Sequence, residues 1–234
     1  MKRDRGALVV FAKDPVPGRV KTRLSPPFTP ELAAAFYAAM LEDVLEASTT
    51  YARDNGLVPI LAIDPPEAVA GFQTRVPTGF RVVAQRGRDL SQRMEAAAQD
   101  AFAAGLSPVL LRGSDSPAME GETVRAACEA LGRAGLVVCP DLDGGYNLVG
   151  LAEPAPGLFD HPMSTASVLD DTLARARAAG LRCEVLATGF DIDRIEDLAN
   201  LQTRYAAGNC DHFRRTIRFL EEQGSWLDHS GDGA

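Results

Sequence analysis

Long apolar runs are missing from this chain. No uninterrupted stretch approaches the roughly 20 residues of a membrane span, so no spanning helix is predicted. The basic opening Met1-Lys2-Arg3-Asp4-Arg5 leads into an apolar stretch that ends at Ala12, which is too short for a signal-peptide core. Basic charge is scarce as well. Lys and Arg number 24 against 32 Asp and Glu, a net charge of −8. Nucleic-acid binders and polybasic membrane-surface proteins show the opposite balance, so neither partner is expected. The cysteines Cys128, Cys139, Cys183 and Cys210 contain no Cys-x-x-Cys pair, and His161, His212 and His229 share no ligand spacing. Zinc and redox chemistry are therefore disfavoured, and reduced thiols in a cytoplasmic protein are expected. Gly-x-x-x-x-Gly-Lys-Ser/Thr, Gly-x-Gly-x-x-Gly and Gly-x-Ser-x-Gly are absent too, which removes the P-loop, the dinucleotide fingerprint and the hydrolase elbow.

What is present suits one globular domain: 234 residues, 46% hydrophobic and 24% charged. The apolar, β-branched run 7–11 reads as a strand buried on both faces. A loop over 13–27, rich in Pro, Gly and basic residues, follows. Thr29 reads as an N-cap with Pro30 at the first helical position, and Leu32, Phe36, Met40, Leu41, Val44 and Leu45 keep a helical stripe. Further strands are expected at 58–63, 80–84, 109–111, 136–139, 146–151 and 183–186. Helices are expected from the cap Asp89 to Gly105, at about 122–133 and 166–179, and beyond Asp193 and Asp211. This alternation predicts an α/β fold with a mostly parallel sheet. Neither a repeat nor a linker divides the chain, so 1–227 is expected to be a single domain and the small, polar 228–234 a disordered tail.

Four segments carry candidate chemistry, each with a plainer reading beside it. The loop after the first strand places Lys13, Arg19, Lys21 and Arg23 near Gly18, an anion cradle or else a solvated basic loop. Gly113-Ser114-Asp115-Ser116-Pro117 follows the strand at 109–111. Its carboxylate suits Mg²⁺ or Mn²⁺, and its plain reading is a turn that starts a helix. Asp143-Gly144-Gly145-Tyr146 is a turn signal whose glycines also permit close approach of a ligand. Phe190-Asp191-Ile192-Asp193 ends an apolar segment before a helix, where acids are favoured by the macrodipole alone. Gln85-Arg86-Gly87-Arg88-Asp89-Leu90 and His161-Pro162-Met163-Ser164-Thr165 are minor features.

The order of these segments is more specific than any one of them. Phe-Ala-Lys-x-Pro-x-x-Gly-x-Val-Lys-Thr-Arg-Leu, Gln-x-Gly-x-Asp-Leu-x-x-Arg-Met, Gly-Ser-Asp-Ser-Pro, Asp-Gly-Gly-Tyr and Asp-Ile-Asp-x-x-Glu-Asp-Leu run through residues 8–201. Together they resemble the bacterial GT-A-fold family of radical-SAM/selenodomain-associated transferases, the arsenosugar-biosynthesis glycosyltransferase type. The resemblance implies a nucleotide-diphospho-sugar transferase fold, a three-layer α/β/α sandwich. It implies a nucleotide-sugar donor and a small-molecule acceptor. It places the phosphate on Lys13, Gly18, Lys21 and Arg23, with Gln85, Gly87, Ser114, Gly144, Gly145 and Tyr146 around the nucleotide. Asp115 and Asp193 would hold Mg²⁺ or Mn²⁺. Asp115 and Asp143 are the catalytic candidates, Asp143 as a base because an acid beside a flexible turn could reach an acceptor hydroxyl.

A rival lies within the same fold. Lys-Thr-Arg-Leu-Ser at 21–25 and the lone carboxylate of Ser114-Asp115-Ser116 also resemble nucleotidyltransferases of the phospholactate and molybdopterin guanylyltransferase type, which release pyrophosphate. Glycosyltransferases of this fold usually carry Asp-x-Asp where this chain has that single acid. A third reading is a non-catalytic nucleotide-binding protein. The oligomeric state is left open.

Overall fold

The structure, a computed structural model, describes residues 6–163, 165–208 and 210–224. The expected tail 228–234 lies outside them. The first strand, β1 (Gly6–Lys13), is buried on both faces as its composition requires. Ala7 and Val9 enter the core on one side, and Leu8, Val10 and Ala12 enter it on the other. Helix α1 (Pro30–Asn55) starts where Thr29 accepts a hydrogen bond from the Leu32 amide, and it stops at Gly56 with φ +66°. Strand β2 (Leu57–Asp64), a short helix α2 (Val69–Gln73) and strand β3 (Arg81–Ala84) follow. The sequence reading did not anticipate α2, whose five residues are too few to show a period.

Helix α3 (Leu90–Ala103) is capped by Asp89, whose carboxylate accepts from the Gln92 amide. Strand β4 (Val109–Gly113), helix α4 (Gly121–Ala130), strands β5 (Leu136–Pro140) and β6 (Tyr146–Leu151), helix α5 (Val168–Ala178) and strand β7 (Cys183–Val185) complete the sheet and its covering helices. Helices α6 (Leu198–Ala206) and α7 (Arg214–Glu222) form where helical stretches were expected beyond Asp193 and Asp211. The α4 and α5 boundaries fall within a few residues of expectation, except that α4 ends at Ala130 instead of about 133.

The sheet has seven strands in the order β3-β2-β1-β4-β6-β5-β7. Strand β6 runs antiparallel to both β4 and β5, and every other pair is parallel. Helices α3 and α5 cover one face, while α1 and α4 cover the other. The last two helices close a separate apolar cluster against α1 around Phe36, Phe213 and Leu220. This is the α/β/α architecture the sequence predicted.

The chain winds from β1 outward through β2 to β3, then crosses over to β4 on the other side of β1. The strand order therefore reverses between β1 and β4, and a crevice opens beyond their carboxyl ends. The register brings Lys13 beside Asp64 and Phe11 beside Gly113, while Pro140 faces Tyr146 across the β5–β6 turn. The loops after β1, β4 and β5 and the head of β6 thus meet on one edge.

Candidate active site

A cleft of about 820 Å³ opens on that edge. Its floor is organised around Lys21, which has φ +48° and is the one non-glycine residue with positive φ among the described residues. Left-handed backbone costs about 1–3 kcal/mol in a residue with a side chain, and it tends to persist at functional sites. The side chain is 4% exposed, and its ammonium lies 2.6 Å from Asp115 Oδ1 and 3.0 Å from Asp193 Oδ1. It also donates to the carbonyl oxygen of Ile192 at 2.6 Å. Burial opposes the charge, but Asp115 and then Asp193 outweigh it and hold the ammonium above its usual range. Arg23, largely exposed, reaches Asp193 Oδ2 at 3.6 Å from the outside.

The acid-bearing segment 191–193 is stitched to the loop after β4. The Ile192 amide donates to the Asp115 carbonyl at 2.9 Å. The Ser116 hydroxyl donates to Asp191, and the Asp191 amide donates to Asp141 Oδ1 at 2.9 Å. Asp197 Oδ2 accepts from the amides of Asp193 and Arg194, which sets the direction of the chain into α6. Five carboxylates, Asp115, Asp141, Asp143, Asp191 and Asp193, line this side of the cleft. Burial first, and then Asp115 and Asp141, push the Asp191 carboxyl up to about 8. Asp141 is pushed up to about 6, mainly by burial, with Asp143 adding to the effect.

Behind the loop lies Arg112, wholly buried in β4. Its guanidinium donates to the Ser116 carbonyl at 2.8 Å, to the Ser48 hydroxyl at 3.3 Å and to the Gly113 carbonyl at 3.3 Å. Burial pulls its pKa down to about 10, so it stays charged at neutral pH. A buried cation held by neutral oxygens is costly, and here it braces the loop that presents Asp115. Tyr37 of α1 fixes the other flank. Its hydroxyl accepts from the Lys13 amide at 3.1 Å and shares a 2.7 Å hydrogen bond with the Ser114 hydroxyl.

A family model described as an uncharacterized protein conserved in bacteria, DUF2064, matches residues 47–165, from within α1 to just before α5. The chain belongs to the DUF2064 family. This DUF2064 chain is also 31% identical over 207 residues to the 2-phospho-L-lactate guanylyltransferase of Methanoregula boonei, covering 87% of this chain and 86% of that one. It is 27% identical to the protein of the same name from Methanothermobacter thermautotrophicus, over 85% and 86% of the two chains. Among solved structures it is similar to a nucleotide-diphospho-sugar transferase-like protein of Desulfovibrio desulfuricans G20. That match has a TM-score of 0.81, 30% identity, and coverage of 95% and 96%. The fold is therefore that of nucleotide-diphospho-sugar transferases, and the chain is transferase-like. Among the described residues no helix is long and apolar enough to cross a membrane.

The DUF2064 cleft gathers most of the residues singled out in the sequence. Lys13, Lys21, Arg23, Gln85, Ser114, Asp115, Asp143, Gly145, Tyr146 and Asp193 all line it. Gly18, Gly87 and Gly144 do not. Gly18 serves a turn with φ +75°. Gly87 packs against the start of α3, where a Cβ would strike Gln92. At Gly144, with φ +93°, a Cβ would collide with the carbonyl oxygen of Ala166. Gln85 lines the cleft with its amide already engaged, donating to the Ala12 and Ala62 carbonyls at 2.9 Å. Asp143 Oδ1 accepts from the Gly145 amide at 2.9 Å, so it also caps its own turn. Ser164 lies outside the described residues.

The sequence reading assigned no role to Asp141, Asp191, Asn147, Tyr37 or Arg112. A signal existed for Arg112, a charge closing the apolar run Val109-Leu110-Leu111. Tyr37 looked like one more residue on a core-facing helix. Asp141 and Asp191 acquire their roles only through contact with each other.

The donor set at Lys21 also suits a divalent ion. Two carboxylate oxygens and the Ile192 carbonyl already converge on one cation, the chain's own ammonium. They form a hard oxygen set of the kind Mg²⁺ and Mn²⁺ prefer. Among the described residues no three His, Cys, Asp or Glu side chains form a metal cluster. An ion at this position would therefore need further oxygen ligands from outside the chain to complete its shell.

Proposed function

We propose that this chain is a metal-dependent nucleotidyltransferase that takes a nucleoside triphosphate, transfers the nucleoside monophosphate to a small-molecule acceptor and releases pyrophosphate. The observation that carries this reading is the meeting of Asp115, Asp193 and Lys21 at the strand-order reversal, beside a row of cations. Lys13, Arg19, Arg23, Arg88 and Arg93 line the cleft from the β1–β3 side. That much positive charge suits a triphosphate better than the diphosphate of a sugar nucleotide. The 31% identical guanylyltransferase supports the same reading.

When bound between Asp115 and Asp193, a divalent ion would neutralise charge on the donor phosphates and fix their geometry. Lys21, released from the two carboxylates, would place its ammonium on a phosphate oxygen, and Arg23 would add a second donor at the mouth of the cleft. Arg112 and Tyr37 would keep the Ser114–Ser116 loop in position throughout.

Glycosyl transfer from a nucleotide sugar, the first reading of the sequence, becomes the second. The match to the Desulfovibrio desulfuricans protein favours it. Products separate the two: pyrophosphate from nucleoside triphosphates supports nucleotidyl transfer, and nucleoside diphosphate from sugar nucleotides supports glycosyl transfer. Nucleotide affinity measured with and without Mn²⁺ tests the site itself. The ion should strengthen binding in the wild type and not in Asp115→Asn. A full metal enhancement in that variant refutes the assignment.

A further inference from the structure

The charges that line the cleft are sorted by side. From β1 to the start of α3 the lining carries five cations besides Lys21, and one acid, Asp89, which is occupied in capping α3. Beyond Arg112 the pattern inverts. The lining contributes Asp115, Asp141, Asp143, Asp191 and Asp193, and among its described residues from 141 onward none is Lys, Arg or His. The imidazole of His161 is not in this wall, and its Nε2 is hydrogen-bonded to Thr172 Oγ1 at 2.9 Å. The acid wing also holds a polar group without a partner. Asn147, on β6, is 2% exposed, and its Oδ1 accepts no hydrogen bond. A Cβ at Gly189 would strike its amide nitrogen, so that glycine leaves the side chain its room. An orphaned acceptor in the wall of a cleft calls for a donor supplied by a ligand.

We infer that the acceptor taken by this wing is an uncharged hydroxyl compound and not a phosphorylated acid. The inference rests on the nucleotide-donor reading above. A phosphorylated acid would bring two or more negative charges against Asp141 and Asp143, in a wall whose described lining residues from 141 onward include no cation, which is the arrangement that selects against a ligand. Hydroxyl groups suit the wing because they donate to carboxylates and to Asn147 Oδ1. The chemistry points the same way. A phosphate nucleophile arrives ionised and needs no base, whereas a hydroxyl must lose a proton as it attacks. In the step proposed, the hydroxyl oxygen forms a bond to the α-phosphorus of the triphosphate. The bond from that phosphorus to the bridging oxygen breaks, and pyrophosphate leaves with the electron pair. The hydroxyl proton passes to a carboxylate of the wing, with Asp143 on the β5–β6 turn as the candidate.

The test uses the full chain with Mg²⁺ and a nucleoside triphosphate panel. Glycerol, glucose and myo-inositol are offered as acceptors against 2-phospho-L-lactate and 3-phosphoglycerate. The expected result is at least tenfold stimulation of pyrophosphate release by one or more of the uncharged compounds and none by the phosphorylated acids, with Asp143→Asn lowering kcat and leaving nucleotide affinity unchanged. Stimulation by either phosphorylated acid, or by no uncharged compound, overturns the inference. Calorimetry of the nucleotide in the same samples separates the failures. Nucleotide bound without stimulation by hydroxyl compounds overturns the acceptor class alone, and no nucleotide bound overturns the donor reading with it.

Discussion

The ammonium of Lys21 and the carboxylate of Asp115 form a 2.6 Å ion pair across the cleft floor, and Asp193 closes on the same nitrogen from the other side. Lys21 comes from the loop after β1, Asp115 from the loop after β4, and Asp193 from the segment leading into α6. One cation thus ties together three segments distant in sequence at the point where the strand order reverses. Both acids are more than one-third exposed, so the pair adds only modestly to stability. Its consequence is for binding: under the function proposed above, the chain's own cation holds the place of the metal ion.

Replacing that cation should therefore separate two functions. In Lys21→Met the carboxylates lose their counter-charge, and Mn²⁺ should bind the nucleotide-free protein about tenfold more tightly than it binds the wild type. Nucleotide affinity should fall by about the same factor, the size expected for one charge-assisted hydrogen bond. Titration calorimetry with Mn²⁺ alone and with nucleotide reads both changes. If neither affinity moves, Lys21 is a structural residue and no more.

Asp191 should leave a mark on the pH dependence of stability. Its carboxyl lies near 3.8 in the unfolded chain and is pushed up to about 8 in the fold, by burial first and then by Asp115 and Asp141. Between those values the unfolded chain has lost the proton that the folded chain keeps, so this residue makes stability fall as pH rises from about 4 to 8. Asp191→Asn keeps an oxygen to accept from Ser116 and removes the ionisation. Its stability relative to wild type, from urea unfolding at pH 4, 6 and 8, should rise with pH. A difference that does not change with pH would show that the carboxyl ionises normally.

Two glycines with positive φ should respond differently to alanine. At Gly18, φ +75°, a Cβ meets nothing within 4 Å. At Gly144, φ +93°, it meets the Ala166 backbone. Both changes carry the left-handed penalty of about 1–3 kcal/mol, and only Gly144→Ala adds a clash with backbone that cannot step aside. Its Tm should fall further than that of Gly18→Ala, and the β5–β6 turn should lose its seat on the segment before α5. Equal losses would mean that this segment shifts freely.

The thiols should be inert. All four cysteines are free, and burial pushes Cys128 and Cys139 up to about 11. Thiol titration of unfolded protein purified without oxidant should count four, and the folded protein should react slowly. A count of two would reveal a disulfide.

Much of the architecture was legible in local sequence. The unbroken apolar runs of β1 and β4 mark strands buried on both faces, and Thr29-Pro30 and Asp89 mark helix starts by chemistry that acts within one turn. The ordered motifs pointed to the nucleotide-diphospho-sugar transferase fold, and to Lys21, Asp115 and Asp193, which the fold brings together. The antiparallel placement of β6 was not legible. Tyr146–Leu151 is as apolar as the parallel strands of the sheet, and strand direction depends on the short β5–β6 turn and on which neighbours remain free to pair.

The sequence by itself determined the alternation of elements, the acidic balance, the position of the caps and the presence of a basic loop and several acid-bearing turns, because each depends on residues within a few positions of one another. Only the tertiary structure decided that Lys21 is buried between two acids, that Asp191 joins Ser116, that Arg112 braces the loop carrying Asp115, and that cations and carboxylates occupy opposite sides of one cleft. Those facts depend on the crossover that sets β4 beside β1 and on the return of residues 191–193 to the loop after β4. Charge and burial are properties of what surrounds a residue in space, and segments far apart along the chain supply those surroundings.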